Sequence, residues 1–572
     1  MSATLMALIA LATMLVSGNP SRAASPGPGG GPDPDCVGIT ATLTATPSSI
    51  DRETSTNLTT VLAWSVNVPK RCPFPPTVTL ERRTVPLSGH MTAPVNRTTI
   101  FVLRADNRDL ARATVNVQGD PGFIGILPGK QATPYEIAKF NQQWMQPVSK
   151  QAALAFAGYT LSTLDSSGAT GTGQWMAAMV RMFDLTQDTR YLDQLHDLIQ
   201  LTLKFRDDRP LDSGPNVFRP IDQIRNKVGL PAWGGGLADN YGLHSVDEIT
   251  STLYAYPIAA FARIVAGNPS LQTRYGSDAI DYANRVLETV GFFLPQIHQQ
   301  RVGNFIEAML MHPEEYRNRP TEADCQNAWQ HAMNHDPNRK TRWDDARRDC
   351  NNKRKLAGKP MPHNINLTFS MVLIELSRVL DTPFYLQSPR RAANAESMRD
   401  FFFVLIPRQV RYFTDHLNPQ GLRDKYPDSC NQNVCWYYMD HGAEDVGYHP
   451  EDTDHGSMDM SFAGLFTRDA ARLNAAAKRL NEPFRFLDLQ RFARTFVENI
   501  AAGHDFKHDT AGRDGEPSDN TLCEGWLELS RADAKVWQVC HDMSLRIIDE
   551  QQPYLNIGNH SMLLMSKQLL KQ

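Results

Sequence analysis

The sequence lacks the features that mark several large classes of protein. Its formal net charge is −4 and no basic run stands out, so we do not expect it to bind nucleic acid. Beyond the N-terminal segment, no stretch approaches the roughly 18 consecutive apolar residues of a membrane span, so we expect no membrane span there. CxxC and CxxH spacings, which zinc sites use, do not occur. We therefore expect neither a metal nor another cofactor.

The N-terminal segment has the composition of a secretory signal. An apolar run at residues 5–16 precedes small residues, and residues 21–23 fit a cleavage site, so residues 1–24 are predicted to be a signal peptide. Residues 25–35 are a Pro/Gly linker. These features predict an exported protein, either extracellular or periplasmic.

The chain has eight cysteines, which fall into pairs that are close in sequence. An even number of cysteines in an exported chain favours disulfide bonds. The predicted bonds are Cys36–Cys72, Cys325–Cys350, Cys430–Cys435 and Cys523–Cys540.

Two periodicities divide the chain into two domains. Short Thr- and Val-rich runs at residues 36–120 predict an immunoglobulin-like β-sandwich with Trp64 in its core. At residues 130–572 apolar residues recur with helical spacing, in about ten to twelve helices. No fixed repeat relates these helices, as a solenoid would require. Because long polar loops separate them, we predict a mainly α protein whose catalytic domain is an (α/α) toroid.

One polar stretch, residues 435–460, is poor material for a hydrophobic core. It contains three histidines, seven carboxylates and three tyrosines, with almost no aliphatic residues. Isolated charges are expensive to remove from water. One carboxylate, such as Asp452, would be enough to cap the helix that follows. The surplus of titratable groups therefore indicates a functional site.

Two segments within residues 360–500 resemble a known group of enzymes. The residues that carry the resemblance are Pro362, His363 and Asn364, then Trp436, Tyr437 and Tyr438, then Glu451, Asp452 and His455. The pattern is similar to that of (α/α)-toroid polysaccharide lyases and related uronate-acting proteins such as glucuronyl epimerases. Here the gap between the aromatic run and the acidic motif is wider, and His441 and His449 are additional. The resemblance implies these catalytic residues: Tyr438, Tyr437, His455, His363, Asn364, Glu451 and Asp452.

Two reactions fit these side chains. β-Elimination from a uronate polymer needs a group that neutralises the C6 carboxylate, a base for the C5 proton and an acid for the leaving oxygen. His363, Asn364, Arg301, the two tyrosines and His455 supply all three kinds. Glycoside hydrolysis needs two carboxylates flanking the bond, of which Glu451 or Asp452 would be one. The residues alone leave both reactions open.

A second polar loop, residues 230–251, precedes another predicted helix. The predicted substrate-binding residues are Tyr241, His244, Glu248, Arg301, Trp233 and Trp436. His244 and Glu248 would share a helix face if that helix began early enough. Glu248 is equally typical of a helix start, and a tryptophan is more often a core residue than a platform for a sugar.

These patterns predict a secreted carbohydrate-active enzyme. The first hypothesis is a polysaccharide lyase that cleaves a uronate-containing, anionic glycan. The second is a glycoside hydrolase on the same scaffold, and the third is a non-catalytic glycan-binding surface protein. The expected partner in each case is a polysaccharide, and the sequence does not set the oligomeric state.

Overall fold

The computed structural model describes most of the chain from Ile39 to Lys571. It does not describe residues 1–38, 52–58, 70–75, 81–82, 96–98, 106–107, 119–125, 127–129, 164–165, 209–226, 228, 236–244, 320, 336–341, 439–449, 502–505, 514–522, 548–552 and 572. The predicted signal peptide, the linker, the Cys36–Cys72 bond, Tyr241, His244, His441 and His449 therefore lie outside the described residues. Described residues within Met1–Pro128, Thr133–Lys139 and His541–Gln551 form one compact unit, and the others form a second.

The first unit is built on two β-sheets. Its strands are β1 (Thr40–Thr46), β2 (Ser49–Asp51), β3 (Thr59–Asn67), β4 (Val78–Leu80), β5 (Arg83–Thr84), β6 (Ser88–Pro94), β7 (Thr99–Ala105) and β8 (Arg108–Gln118). One sheet has the strand order β1-β3-β6 and the other has the order β2-β8-β7-β4-β5. All neighbours pair antiparallel except β2 and β8, which pair parallel.

The two sheets share one hydrophobic core. Along β3, buried and exposed residues alternate, as expected of a strand with one face in the core. Trp64 is among the buried ones, and its indole Nε1 donates to the Pro86 carbonyl at 2.9 Å. Leu80 and Leu103 of the other sheet belong to the same core. The prediction that Trp64 is a core residue is confirmed.

The rest of the described chain is mainly helical, as predicted. The helices are α1 (Pro134–Trp144), α2 (Pro147–Thr163), α3 (Ser166–Thr186), α4 (Thr189–Lys204), α5 (Glu248–Ala266), α6 (Pro269–Phe293), α7 (Glu322–His335), α8 (Trp343–Lys355), α9 (His363–Leu380), α10 (Pro383–Leu386), α11 (Pro389–Asp415), α12 (Gln420–Lys425), α13 (Pro427–Gln432), α14 (Thr453–Arg479), α15 (Leu489–Arg494), α16 (Cys523–Trp526), α17 (Ala534–Ile547) and α18 (Pro553–Ser566). A π-helical turn follows α15 (Thr495–Ile500), and 3₁₀ turns occur at Leu294–Gln296, Glu314–Arg317, Leu527–Arg531 and Leu569–Lys571. The strands are β9 (Gly234–Gly235), β10 (Ser245–Val246), β11 (Ile297–Val302) and β12 (Phe305–Leu310).

Six helices of the second unit pack side by side in an order that returns to its start. α3 packs on α5, α5 on α9 and α9 on α14. α14 packs on α16, α16 on α18, and α18 packs back on α3. Three further helices each pack on the helix that precedes them in the chain. Helix α4 packs on α3 and α6 packs on α5. Helix α11, which follows α9 after the short helix α10, packs on α9.

The central helix α5 is buried over most of its surface. By length and composition it could cross a membrane, and it is the one helix among the described residues that passes this test. In the fold, 78% of its apolar window is buried inside the protein. Because α3, α6 and α9 all pack on it, its all-round apolar character matches that of a core helix.

Three of the four predicted disulfides are present. Cys325–Cys350 joins α7 to α8, Cys430–Cys435 closes a short loop, and Cys523–Cys540 joins α16 to α17. Disulfides persist in oxidising compartments, so these bonds suit an extracellular protein.

The antiparallel hairpin β11–β12 was missed by the sequence prediction. Val302 pairs with Phe305 across a tight turn, and Gly303 adopts a positive φ of 58° there. The end of the hairpin is fixed to α9, because Leu310 N–H donates to the Asn366 side-chain oxygen at 2.6 Å. Gly-Asn between two apolar runs is a hairpin signal that could have identified this element.

Candidate active site

A cluster of titratable side chains surrounds the start of α14, and we call it the histidine site. Its members are Tyr438, Glu451, Asp452, His455, Asp459 and His508. Three chain segments meet here through backbone hydrogen bonds. Glu451 N–H donates to the Trp436 carbonyl at 2.8 Å, and Thr510 N–H donates to the Glu451 carbonyl at 3.0 Å. These bonds bring distant parts of the sequence into one site.

His455 lies at the centre of the histidine site. Its Nδ1 is 3.5 Å from Glu451 Oε1 and 3.8 Å from Asp452 Oδ2. The spacing of four residues puts Glu451 and His455 on one side of the helix start. Two carboxylate oxygens beside Nδ1 favour the tautomer with its proton on Nδ1, which would leave the lone pair on Nε2. The His455 side chain is 36% exposed, whereas that of Glu451 is fully buried.

Tyr438 stacks on His455. The two ring centroids are 4.8 Å apart with an interplanar angle of 24°. Burial, followed by the nearby carboxylates of Glu451 and Asp452, raises the pKa of the Tyr438 phenol above its ordinary value. The phenol therefore stays protonated at neutral pH, which is the state that a general acid requires.

Asp452 is the N-cap residue of α14, but its side chain makes no capping hydrogen bond. Instead, its Oδ1 lies 3.3 Å from His508 Nε2. The side chains of Asp452 and His508 are 24% and 38% exposed. The Asp452 carboxylate, which was predicted to be catalytic with helix capping as the alternative, thus lies between two imidazoles, those of His455 and His508.

Asp459 is a fully buried member of the histidine site. Burial raises its pKa well above the usual aspartate range and the nearby Glu451 adds to the effect, while the hydrogen bond from Trp436 opposes it. The Trp436 indole Nε1 donates to Asp459 Oδ2 at 2.8 Å. Asp459 is thus a buried carboxyl group with a raised pKa, hydrogen-bonded by an indole.

Trp436 was predicted to bind substrate, and its position argues against that role. The ring is fully buried and contacts Phe413, Phe492 and Trp526 edge-on or tilted. A sugar ring needs an exposed aromatic face, and this indole has none. Polar neighbours in the sequence suggested exposure, but the hydrogen bond to Asp459 satisfies the indole inside the core.

Tyr437 points to a different environment from Tyr438. It packs partly buried on a small cluster that includes Leu422 and the Cys430–Cys435 disulfide. A Cβ atom at Gly421 would lie 2.5 Å from the Tyr437 hydroxyl, so a larger residue there would displace this end of the tyrosine ring. Of the two predicted catalytic tyrosines, Tyr438 is the one in stacking contact with His455.

His363 and Asn364 form the buried start of α9, next to the histidine site. His363 N–H donates to the Tyr438 carbonyl at 3.3 Å, and the Asn364 amide donates to the Met458 sulfur at 3.6 Å. His363 is 1% exposed and Asn364 is 3% exposed. These contacts position the backbone of Tyr438 and join α9 to α14.

A second acid–histidine cluster, which the sequence analysis missed, lies beyond His363. The His363 and His416 ring centroids are 6.3 Å apart, and Tyr412 lies 4.5 Å from His416. His416 Nδ1 is 2.7 Å from the Tyr412 carbonyl, which can only accept, so Nδ1 carries a proton. Burial raises the pKa of Glu307, which hydrogen-bonds Gln300 and Asp415 near His416.

The remaining predicted substrate-binding residues occupy separate places. Trp233 is 1% exposed and its indole donates to the Thr202 carbonyl at 2.9 Å, so it is a core residue with no face for a sugar. Glu248 is fully buried and directly follows Asp247, the N-cap of α5. The helix α5 begins at Glu248, and His244 lies outside the described residues. Arg301 is exposed on β11.

No metal-binding arrangement occurs in the part of the chain that the structure describes. A metal site needs three or more His, Cys, Asp or Glu side chains that converge on one point. Among the described residues, no such group is present.

Comparisons with known proteins give no family for this chain. Protein-family models, curated proteins and solved structures were each compared with it, and none matches. Function must therefore be inferred from the side chains of the sites themselves.

Proposed function

We propose that the chain is an exported polysaccharide lyase that cleaves a uronate-containing glycan by β-elimination at the histidine site. One observation carries the proposal. The imidazole of His455 and the ring of Tyr438 stack on each other and are partly exposed, while the carboxyls of Glu451 and Asp459 are fully buried. A lyase uses such groups as base and acid, whereas a hydrolase needs two carboxylates at the bond.

The two stacked rings suit the two proton transfers of an elimination. His455 Nε2 would take the C5 proton, the C4–O bond would break, and a C4–C5 double bond would form. The Tyr438 phenol would protonate the leaving oxygen. Both rings lie on the same side of the substrate in this arrangement, as a syn elimination requires. Glu451 and Asp452 would stabilise the imidazolium formed when His455 accepts the proton.

The fold supports the proposal at a coarser level. We interpret the helix packing that returns from α18 to α3 as an (α/α) toroid, with the starts of α9 and α14 together at one mouth. We interpret the two sheets with a common core as an immunoglobulin-like sandwich. The first interpretation agrees with the resemblance to toroid lyases at residues 360–500.

A glycoside hydrolase is the second candidate, and one observation favours it. Glu307 and Asp415 are two carboxyl groups in hydrogen-bonding contact near His416, and Glu307 has a raised pKa because of burial. A glycosidase uses a protonated carboxylic acid to protonate its leaving group. Because Glu307 is 1% exposed, Asp415, whose side chain is 28% exposed, would be the member of this pair that reaches a substrate. Asp452, which is 24% exposed, would be the other available carboxylate.

A dual-readout assay separates these candidates. The purified protein is incubated with acidic and neutral polysaccharides, and ultraviolet absorbance and new reducing ends are followed in the same wells. A lyase gives one unsaturated uronate for each new reducing end. Reducing ends without absorbance would contradict the lyase and favour the hydrolase. No signal in either channel would contradict both and favour a binding protein.

A further inference from the structure

The tip of hairpin β11–β12 and residues 482–486 together present an exposed aromatic and basic surface. We call this surface the hairpin patch, and it consists of Arg301, Val302, Phe305, Arg485 and Phe486. Phe486 is 65% exposed, Val302 44% and Phe305 41%. Large apolar side chains grouped on a surface mark interaction sites more often than single ones do.

Buried arginines fix the two halves of the hairpin patch to each other. Arg411 is 1% exposed, and its guanidinium donates to the Ile306 carbonyl on the hairpin. It also donates to Glu482 at 3.1 Å and to the Pro483 carbonyl at 2.9 Å. Arg408 likewise joins Glu482 to Gln299 of β11. The patch is therefore held in one arrangement before any ligand binds.

The aromatic rings of the hairpin patch are oriented by their neighbours. Phe486 meets Phe484 edge-on at 5.1 Å, and Phe484 stacks on Phe466 at 5.3 Å. Arg411 and Arg485 lie over the Phe305 ring at 5.3 Å and 5.7 Å. Because these contacts hold the exposed Phe486 ring in place, binding a ligand there would cost little side-chain entropy.

The hairpin patch is connected to the candidate active site through side-chain contacts. Arg485 forms an ion pair with Asp415, which hydrogen-bonds Glu307 in the second acid–histidine cluster. That cluster contacts His363, whose N–H donates to the Tyr438 carbonyl. Packed side chains therefore link the patch to the histidine site through the protein interior.

We propose that the hairpin patch is a subsite for an acidic sugar unit of the same glycan chain, outside the bond that is cleaved. This inference rests on the proposed function. The apolar C–H face of the sugar would stack on Phe486, because aromatic rings suit such faces. Its carboxylate would pair with Arg301 or Arg485, because a guanidinium matches carboxylate geometry with two parallel hydrogen bonds.

Retardation in native gels that contain a polysaccharide tests the subsite without requiring turnover. The polymers are polygalacturonate, alginate and neutral dextran, and all proteins carry Tyr438→Phe so that the polymer is not cleaved. Phe486→Ala and Arg301→Gln are compared with Phe401→Ala, which removes an exposed phenylalanine of α11 outside the patch. We expect each patch variant to weaken binding to at least one polyuronate about 3- to 10-fold, and the control to leave it unchanged.

The outcomes separate the subsite from the proposed function. Equal binding of Phe486→Ala and Phe401→Ala, equal retardation by dextran, or no retardation by any polymer overturns the subsite. Patch-dependent binding to a polyuronate supports the subsite even if the unmodified protein gives no unsaturated product, which would contradict only the lyase. Unsaturated product from the unmodified protein, together with full binding by the patch variants, supports the lyase and overturns the subsite.

Discussion

The helices around α9 carry two polar clusters that differ in how their charges are compensated. In one cluster arginines pair with carboxylates: Arg181 with Glu524, Arg263 with Glu375, and Arg468 with Glu528. We call it the arginine network. In the histidine site, the carboxylates of Glu451 and Asp452 face imidazoles instead. Glu375 follows His363 by twelve residues on α9, so the clusters are separated by about 18 Å along that helix.

This difference separates a structural cluster from a chemical one. An arginine stays protonated at any physiological pH, so its pairs hold helices together and do not exchange protons. An imidazole beside a carboxylate changes its protonation near neutral pH, which makes proton transfer available. Burial raises the pKa of Tyr256 to about 12 beside Glu375, and three arginines of the network oppose that rise. Tyr256 is therefore a protonated phenol within the arginine network.

The largest expected effect is the loss of activity on His455→Ala. Removing the proposed general base should lower the rate of unsaturated product formation about a thousandfold. The free energy of unfolding should change by less than about 1 kcal/mol, because the side chain is 36% exposed. Initial rates and denaturant unfolding of the same preparation measure both quantities. His90→Ala, at an exposed strand position, is the control. If the loss of activity were accompanied by a large drop in the free energy of unfolding, the role of His455 would be structural.

The second prediction concerns the arginine network. Arg181→Met leaves the carboxylate of Glu524 buried without its arginine, since their side chains are only 13% and 8% exposed. Breaking a buried ion pair on one side should lower the free energy of unfolding by about 3 kcal/mol. Denaturant unfolding measures this change. The double variant Arg181→Met/Glu524→Met should regain most of the loss, and a double variant as unstable as the single one would contradict the account.

The smallest predicted effect is a change in the pH dependence of stability on Asp459→Asn. Burial and then Glu451 hold the pKa of Asp459 well above 3.8 in the folded state. Between pH 3.8 and that raised pKa the folded state binds more protons than the unfolded state. The free energy of unfolding therefore falls as pH rises through this window. Asparagine keeps an oxygen for Trp436 and cannot ionise, so the fall should be smaller in the variant.

Unfolding curves between pH 4 and pH 8 measure that slope. At pH 4 the variant should lie within about 1 kcal/mol of the unmodified protein, because both side chains are then uncharged. Asp424→Asn, on an exposed side chain, is the control. A slope that is identical in Asp459→Asn and in the unmodified protein would mean that Asp459 does not titrate in this range.

Much of the fold was predictable because it follows from local patterns. Alternation identified β3 and the core position of Trp64, and helical spacing identified α9 and α14. Cysteine spacing identified the three disulfides that the described residues contain. The surplus of polar groups at residues 435–460 correctly placed Tyr438, Glu451, Asp452 and His455 in one cluster.

What remained unpredicted depends on contacts between distant residues. The contact of His508 with Asp452 and the hydrogen bond from Trp436 to Asp459 form only when the chain folds. No known sequence motif has either pair of residues at this separation. Trp233 and Trp436 were predicted to bind substrate, with a core position as the commoner alternative, and the structure buries both indoles with hydrogen-bond partners. The β11–β12 hairpin was missed although Gly303 and Asn304 at its turn are residues typical of a hairpin.

The matched variants Tyr438→Phe and Tyr437→Phe give the most direct test of the central claim, which is that the Tyr438–His455 pair catalyses β-elimination. Both changes remove one hydroxyl from neighbouring residues, but only Tyr438 stacks on His455. The measurement is the initial rate of unsaturated product formation. The account predicts a loss of about a hundredfold or more for Tyr438→Phe and a nearly unchanged rate for Tyr437→Phe. Equal rates for the two variants, or a loss confined to Tyr437→Phe, would contradict it.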